Sequence, residues 1–163
     1  MTEMKNTGMI RETLGGIIAY KHPNYMVRDE REDKHSYTLD TDGFTVSIEI
    51  SVSVTNDWKT ADAIMEKADV FREKVEDQFP DCLASDPEKL VSESGIEEVI
   101  IDYSFQDNYE GQDYEAVGAI VYIPAGGNMV QASFMYLDFS DGGRNYENAY
   151  HDFLDIICSA EMI

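Results

Sequence analysis

Four carboxylates, Asp107, Glu110, Asp113 and Glu115, fall within nine residues around the turn sequence Asn108-Tyr109-Glu110-Gly111. Acceptor-only side chains at that density can hold a cation or meet a basic protein surface, and Tyr109 and Tyr114 add apolar contact with a polar tip. Calcium needs several oxygens converging on one point in a D-x-[DN]-x-[DN]-G loop. Neither this stretch nor the acidic run Asp29-Glu30-Arg31-Glu32-Asp33 has that loop, and Asp40-Thr41-Asp42-Gly43 matches it only in part. The expected role is therefore partner binding through Asp107, Tyr109, Glu110, Asp113, Tyr114 and Glu115. Trp58, just before the first helix, is a further candidate anchor, although closing a helix entrance is the commoner use of such a residue.

Other constellations are weaker. His151, Asp155 and Cys158 share one face of the last helix at i, i+4 and i+7, but a zinc site needs three or four ligands with a second shell, and no further ligand is identifiable. His22, His35 and His151 are the only histidines, and none neighbours a nucleophile motif. The sequence lacks G-x-x-x-x-G-K-[ST], G-x-G-x-x-G and G-x-S-x-G, so nucleotide cradles and the hydrolase elbow have no support. The expectation is a chain without catalytic residues, cofactor or metal.

The whole chain reinforces the charge argument. Asp plus Glu number 33 against 12 Lys plus Arg, a net charge of −21 on 163 residues. Residues 1–89 carry 11 cations and 19 carboxylates, whereas residues 90–163 carry one cation, Arg144, and 14 carboxylates. Such a field repels nucleic acid and anionic membranes and attracts basic partners. A solubilising surface is the bland alternative.

The elements that must position these residues follow from hydrophobic period. Residues 44–54 alternate strictly from Phe44 to Val54 and, with 36–39 and the Asp42-Gly43 turn, predict an antiparallel hairpin whose turn residues tolerate positive φ. Residues 60–79 switch to helical spacing through Ala61, Ile64, Ala68, Phe71, Val75 and Phe79, stopped by Pro80. Residues 80–95 read as a loop with at most a short strand or turn. Three strands at 96–106, 114–123 and 129–139 form a meander, and a second helix runs from Asn145, its expected cap, to about 160. The fold class is α+β: about six antiparallel strands with two helices packed on them, in one domain over 14–163 behind a tail at 1–13.

Two stretches carry a family resemblance. Ile17 to Val27 is similar to the opening strand and proline turn of the PsbP-like and Mog-like α/β/α sandwich superfamily, and Tyr150 to Ser159 resembles its closing helix. The resemblance implies the order β-β-β-α-β-β-β-α and a bacterial member acting as a non-catalytic, chaperone-like or partner-binding accessory module. An acidic immunity or inhibitor protein that neutralises a basic partner is the alternative that the charge favours.

Met1 to Gly8 contains no apolar h-region and no run approaches the length of a membrane span, so the chain as written is expected in the cytoplasm without membrane insertion. Removal of a signal segment or lipid anchor would make it an exported or lipid-anchored domain instead. Cys82 and Cys158 lack C-x-x-C spacing and are expected as thiols, with one bridge between them left open.

Overall fold

A computed structural model describes residues 8–24, 26, 28–31, 34–55, 57–79 and 81–163, with residues 28–31 described by their backbone alone. The chain opens with the hairpin β1 (Met9–Leu14) and β2 (Ile18–Pro23), followed by β3 (Arg28–Arg31), β4 (Lys34–Asp40) and β5 (Phe44–Val54). Helices α1 (Ala61–Glu66) and α2 (Ala68–Glu76) come next, then two short strands, β6 (Leu83–Ala84) and β7 (Glu88–Val91). The long meander β8 (Glu97–Tyr109), β9 (Gln112–Ala125) and β10 (Asn128–Asp138) leads to α3 (Tyr146–Cys158) and β11 (Glu161–Met162).

The main sheet runs β3-β4-β5-β10-β9-β8-β6, with β7 also paired to β8, and a second sheet runs β1-β2-β11. All pairings are antiparallel, including β8 with β9 from Val99↔Tyr122 to Tyr109↔Gln112. Alternation decides what each face buries. Val99, Ile101, Tyr103 and Phe105 of β8 meet Ile64, Phe71 and Val75 of α1 and α2. The opposite face buries Ile48, Ile100 and Phe134 against Phe153 and Ile156 of α3 and Leu14 and Ile18 of the small sheet. The result is an α+β sandwich with the main sheet in the middle.

Several elements depart in detail from the sequence expectation. The helix over 60–79 is two pieces broken at Lys67 (φ −114°, ψ 37°), where no Gly or Pro stands and no sequence signal explains the break. It ends at Glu76, before Pro80, which lies outside the described residues. Of the two residues that could cap its start, Thr60 and Asp57, Thr60 does so, its side chain accepting from the Ala63 N–H at 3.1 Å. Residues 80–95 hold two edge strands. Of the expected tail, residues 9–13 lie in β1 and residues 1–7 lie outside the described residues. The β4–β5 turn forms where expected but without positive φ at Asp42 or Gly43; Thr41 closes it by hydrogen-bonding Phe44 in both directions.

Candidate partner-binding site

The β8–β9 hairpin is the element that presents the predicted residues. Its last buried cross-strand pair is Phe105↔Ala116; the four pairs beyond it, Gln106↔Glu115 to Tyr109↔Gln112, leave every residue exposed except the half-buried Tyr114. At strand rise those four pairs project about 13 Å past the core. The two-residue turn is Glu110-Gly111, both with positive φ (51° and 83°), the geometry whose twist matches a tight hairpin. Glycine adopts it freely, whereas Glu110 costs about 1 kcal/mol there, so a strained carboxylate stands at the tip. Asn108 braces the turn: its Nδ2 donates to Asp113 Oδ1 at 2.8 Å, and its Oδ1 accepts from Gly111 N–H at 3.0 Å.

Strand alternation divides the cluster. Asp107 and Tyr114 share the face of Phe105, and the Tyr114 hydroxyl donates to Asp107 at 3.4 Å, while Asp113 and Glu115 occupy the opposite face. Glu115 stands directly across from Asp138 on β10. None of the four predicted carboxylates joins an ion pair among the described residues. An open depression of about 570 Å³ lies here, lined by Gln106, Asp107, Asn108, Asp113, Tyr114, Glu115 and Asp138. Burial and the neighbouring Asp107 both raise the Tyr114 phenol, keeping it a neutral donor.

Asp138 is committed to the turn that follows β10, where it accepts from the backbone N–H groups of Asp141, Gly142 and Gly143 at 2.7 to 3.1 Å. That turn starts α3. Asn145 was the expected cap, yet its side chain caps nothing; Asp141 instead accepts from the Asn145 backbone at 2.9 Å and from the Tyr136 hydroxyl. Burial opposes the Asp141 charge, but these bonds outweigh it and hold the carboxyl below its usual range.

Trp58 is not brought to this site. It packs edge-on against Phe71 at 4.9 Å, which in turn meets Tyr122, eight residues along β9 from Tyr114 and hence about 26 Å away. His151 is exposed and lies 3.7 Å from Asp155, and no group of three or more metal-ligating side chains converges among the described residues. Side chains of residues 29–33 lie outside the described residues. His22 and His35 are both buried with Tyr20 and Tyr37: the Tyr20 hydroxyl lies 2.6 Å from His35 Nδ1 and 2.5 Å from the Tyr37 hydroxyl. Cys82 and Cys158 are free thiols on opposite faces of the sheet, each raised chiefly by burial.

Sequence reasoning missed two features. Glu98 is fully buried, and neither of its carboxyl oxygens has a hydrogen-bond partner among the described residues. The signal was its parity with Ile100, opposite to Val99 and Ile101. The second is Gly118, over which the Tyr103 ring lies so that its hydroxyl donates to the Phe134 carbonyl at 3.2 Å across two strands. Here glycine is required by close approach, not by φ.

Among the described residues no helix is long and apolar enough to cross a membrane. No family model matches the chain, and no curated protein matches it in sequence. Solved structures do. The yeast Saccharomyces cerevisiae Ran-binding protein Mog1p is 13% identical with a TM-score of 0.58, covering 94% of this chain and 96% of its own. Mycobacterium tuberculosis LpqN, described as involved in cell envelope biogenesis, is 12% identical (TM-score 0.51, 89% and 82% covered). A Bacteroides thetaiotaomicron protein is 14% identical (TM-score 0.51); the match covers 90% of this chain and only 45% of that one. At these identities the likeness is one of architecture, and the architecture is that of Mog1p.

Proposed function

We propose that this chain is a non-catalytic protein-binding module that docks a basic partner through the β8–β9 hairpin. The observation that carries the reading is the projection of Asp107, Glu110, Asp113 and Glu115 beyond the core with no cation answering them among the described residues. A strained residue at the tip and the exposed ring of Tyr109 add to it. Mog1p, named for binding Ran, supports a binding role for this architecture, as analogy alone. An immunity or inhibitor protein would use the same surface and differ only in inhibiting the partner it captures.

Single exposed ion pairs contribute little, so the hairpin acts through several charges at once. Steering raises association rate more than final affinity and fades with salt. In a pull-down from native lysate, wild type is expected to retain a basic partner at low salt and lose it at high salt. A variant carrying Asp107→Asn, Glu110→Gln, Asp113→Asn and Glu115→Gln is expected to lose the same partner at low salt, with association slowed about tenfold or more. Identical capture under all four conditions overturns the reading and leaves the carboxylates as a solubilising surface.

A further inference from the structure

Glu98 stands near the start of β8, fully buried, with neither carboxyl oxygen hydrogen-bonded. Its parity places it with Ile100 and Asp102 on the face under α3, opposite Leu90 of β7. The β7–β8 loop and the end of α3 are tied by the Glu93 N–H donating to the Cys158 carbonyl at 2.8 Å and the Ser94 hydroxyl donating to the Ala160 carbonyl at 2.7 Å. Beyond them β11 adds only two residue pairs to β2. Ser159 also accepts from the Lys21 N–H at 2.7 Å and the Ile163 N–H donates to the Ile17 carbonyl at 3.1 Å. A seam where one loop and a two-pair edge strand meet opens before the central strands do.

We propose that Glu98 makes this seam a pH-dependent latch, shut in mild acid where the buried carboxyl is neutral and opening locally as rising pH demands a carboxylate in contact with water. A carboxylate without donors is the costly form of this group in an apolar interior. Burial pushes Glu98 up to about 8 from the ordinary 4.5, and among the described residues no cation offsets it. The titratable groups near it are a thiol and further carboxylates. Cys158 on α3 feels the Glu98 field, and Asp155 and Glu93 surround the same thiol. Asp102 shares the strand face, raised by burial and bonded by Tyr150, with Glu88 of β7 acting on both. Lys89 of β7 is paired with Asp62 and Glu97 and lies at the register position that alternates away from Glu98.

The sign follows from which state keeps the proton. Open, Glu98 titrates near 4.5; closed, near 8; so the opening equilibrium rises about tenfold per pH unit between those values and is flat beyond them. Hydrogen exchange of the whole chain, corrected for intrinsic rates at about pH 5.5 and about pH 7.5, reads this directly. Protection over 92–96 and 156–163 is expected to fall about 100-fold between the two and to lie well below that of the centres of β5 and β10 at both, since those exchange only through global unfolding. Glu98→Gln and Glu98→Leu should each abolish the difference. A wild-type seam equally protected at both pH values, a fall shared by both variants, or seam amides as strongly protected as the centres of β5 and β10 overturns the latch.

Discussion

Replacing Gly118 with alanine is expected to destabilise the chain by about 3 kcal/mol or more, lowering Tm by roughly 6–12 °C in a domain of this size. A Cβ at this position would overlap the Phe134 carbonyl oxygen and sit 2.5 Å from the Tyr103 hydroxyl and 2.6 Å from its ring carbon Cζ. Neither neighbour can yield cheaply. The carbonyl belongs to the central strand β10, paired on both sides, and Tyr103 is buried with Phe79 packed 5.1 Å from its ring. Thermal or urea unfolding of Gly118→Ala checks the point; a midpoint within a degree or two of wild type would show that the β9–β10 backbone gives way more easily than close packing allows. Glycine inside a strand ordinarily weakens it, and here the close approach of a ring explains its presence.

Replacing Glu98 with leucine is expected to stabilise the chain by about 2–4 kcal/mol near pH 7.5 and to remove most of the fall in stability between pH 5 and 8. The folded chain holds the Glu98 proton up to about pH 8, whereas the unfolded chain releases it near 4.5. Stability from this group is therefore complete below the lower value and lost as pH rises toward the upper, about 3 kcal/mol by pH 7. Asp141 works in the other direction, its lowered value giving stability above the usual carboxylate range that is lost in acid. The two effects occupy different windows and are separable. Urea unfolding of wild type, Glu98→Leu and Glu98→Gln across pH 5 to 8 tests the assignment. The glutamine variant should lose the slope without gaining as much stability, because its amide is buried without partners too. A wild-type curve parallel to both variants would mean that water or a shifted backbone already satisfies the carboxyl.

Periodicity carried most of the architecture. The strict alternation from Phe44 to Val54 and the two-sided apolar character of β9 are direct consequences of one-face and two-face burial, so the central strands and their antiparallel order were readable. The edge strands β6 and β7 were not, because short strands of two and four residues carry too few alternations to stand out from a loop. The break at Lys67 and the bonding of Asn145 to Asp141 in place of a side-chain cap on α3 depend on contacts set by packing, which spacing along the chain does not encode. The acidic hairpin was legible because local sequence alone makes it; its division into two faces follows from the same period of two. Trp58 was separated from it only by the length of β9. Glu98 shares the parity of Ile100 but was not singled out, because its lack of donors among the described residues is a property of the assembled layers.

Hydrogen-exchange footprinting of the captured partner complex tests the docking claim most directly, since it locates the contact without depending on any substitution. The expected footprint is slowed exchange over residues 106–115, weakening as salt is raised. A different depression, about 420 Å³, lies over the sheet face between Ser47, Glu49, Gln131, Ser133 and Met135. Protection there or along α3, with the hairpin exchanging as in the free chain, would contradict the account.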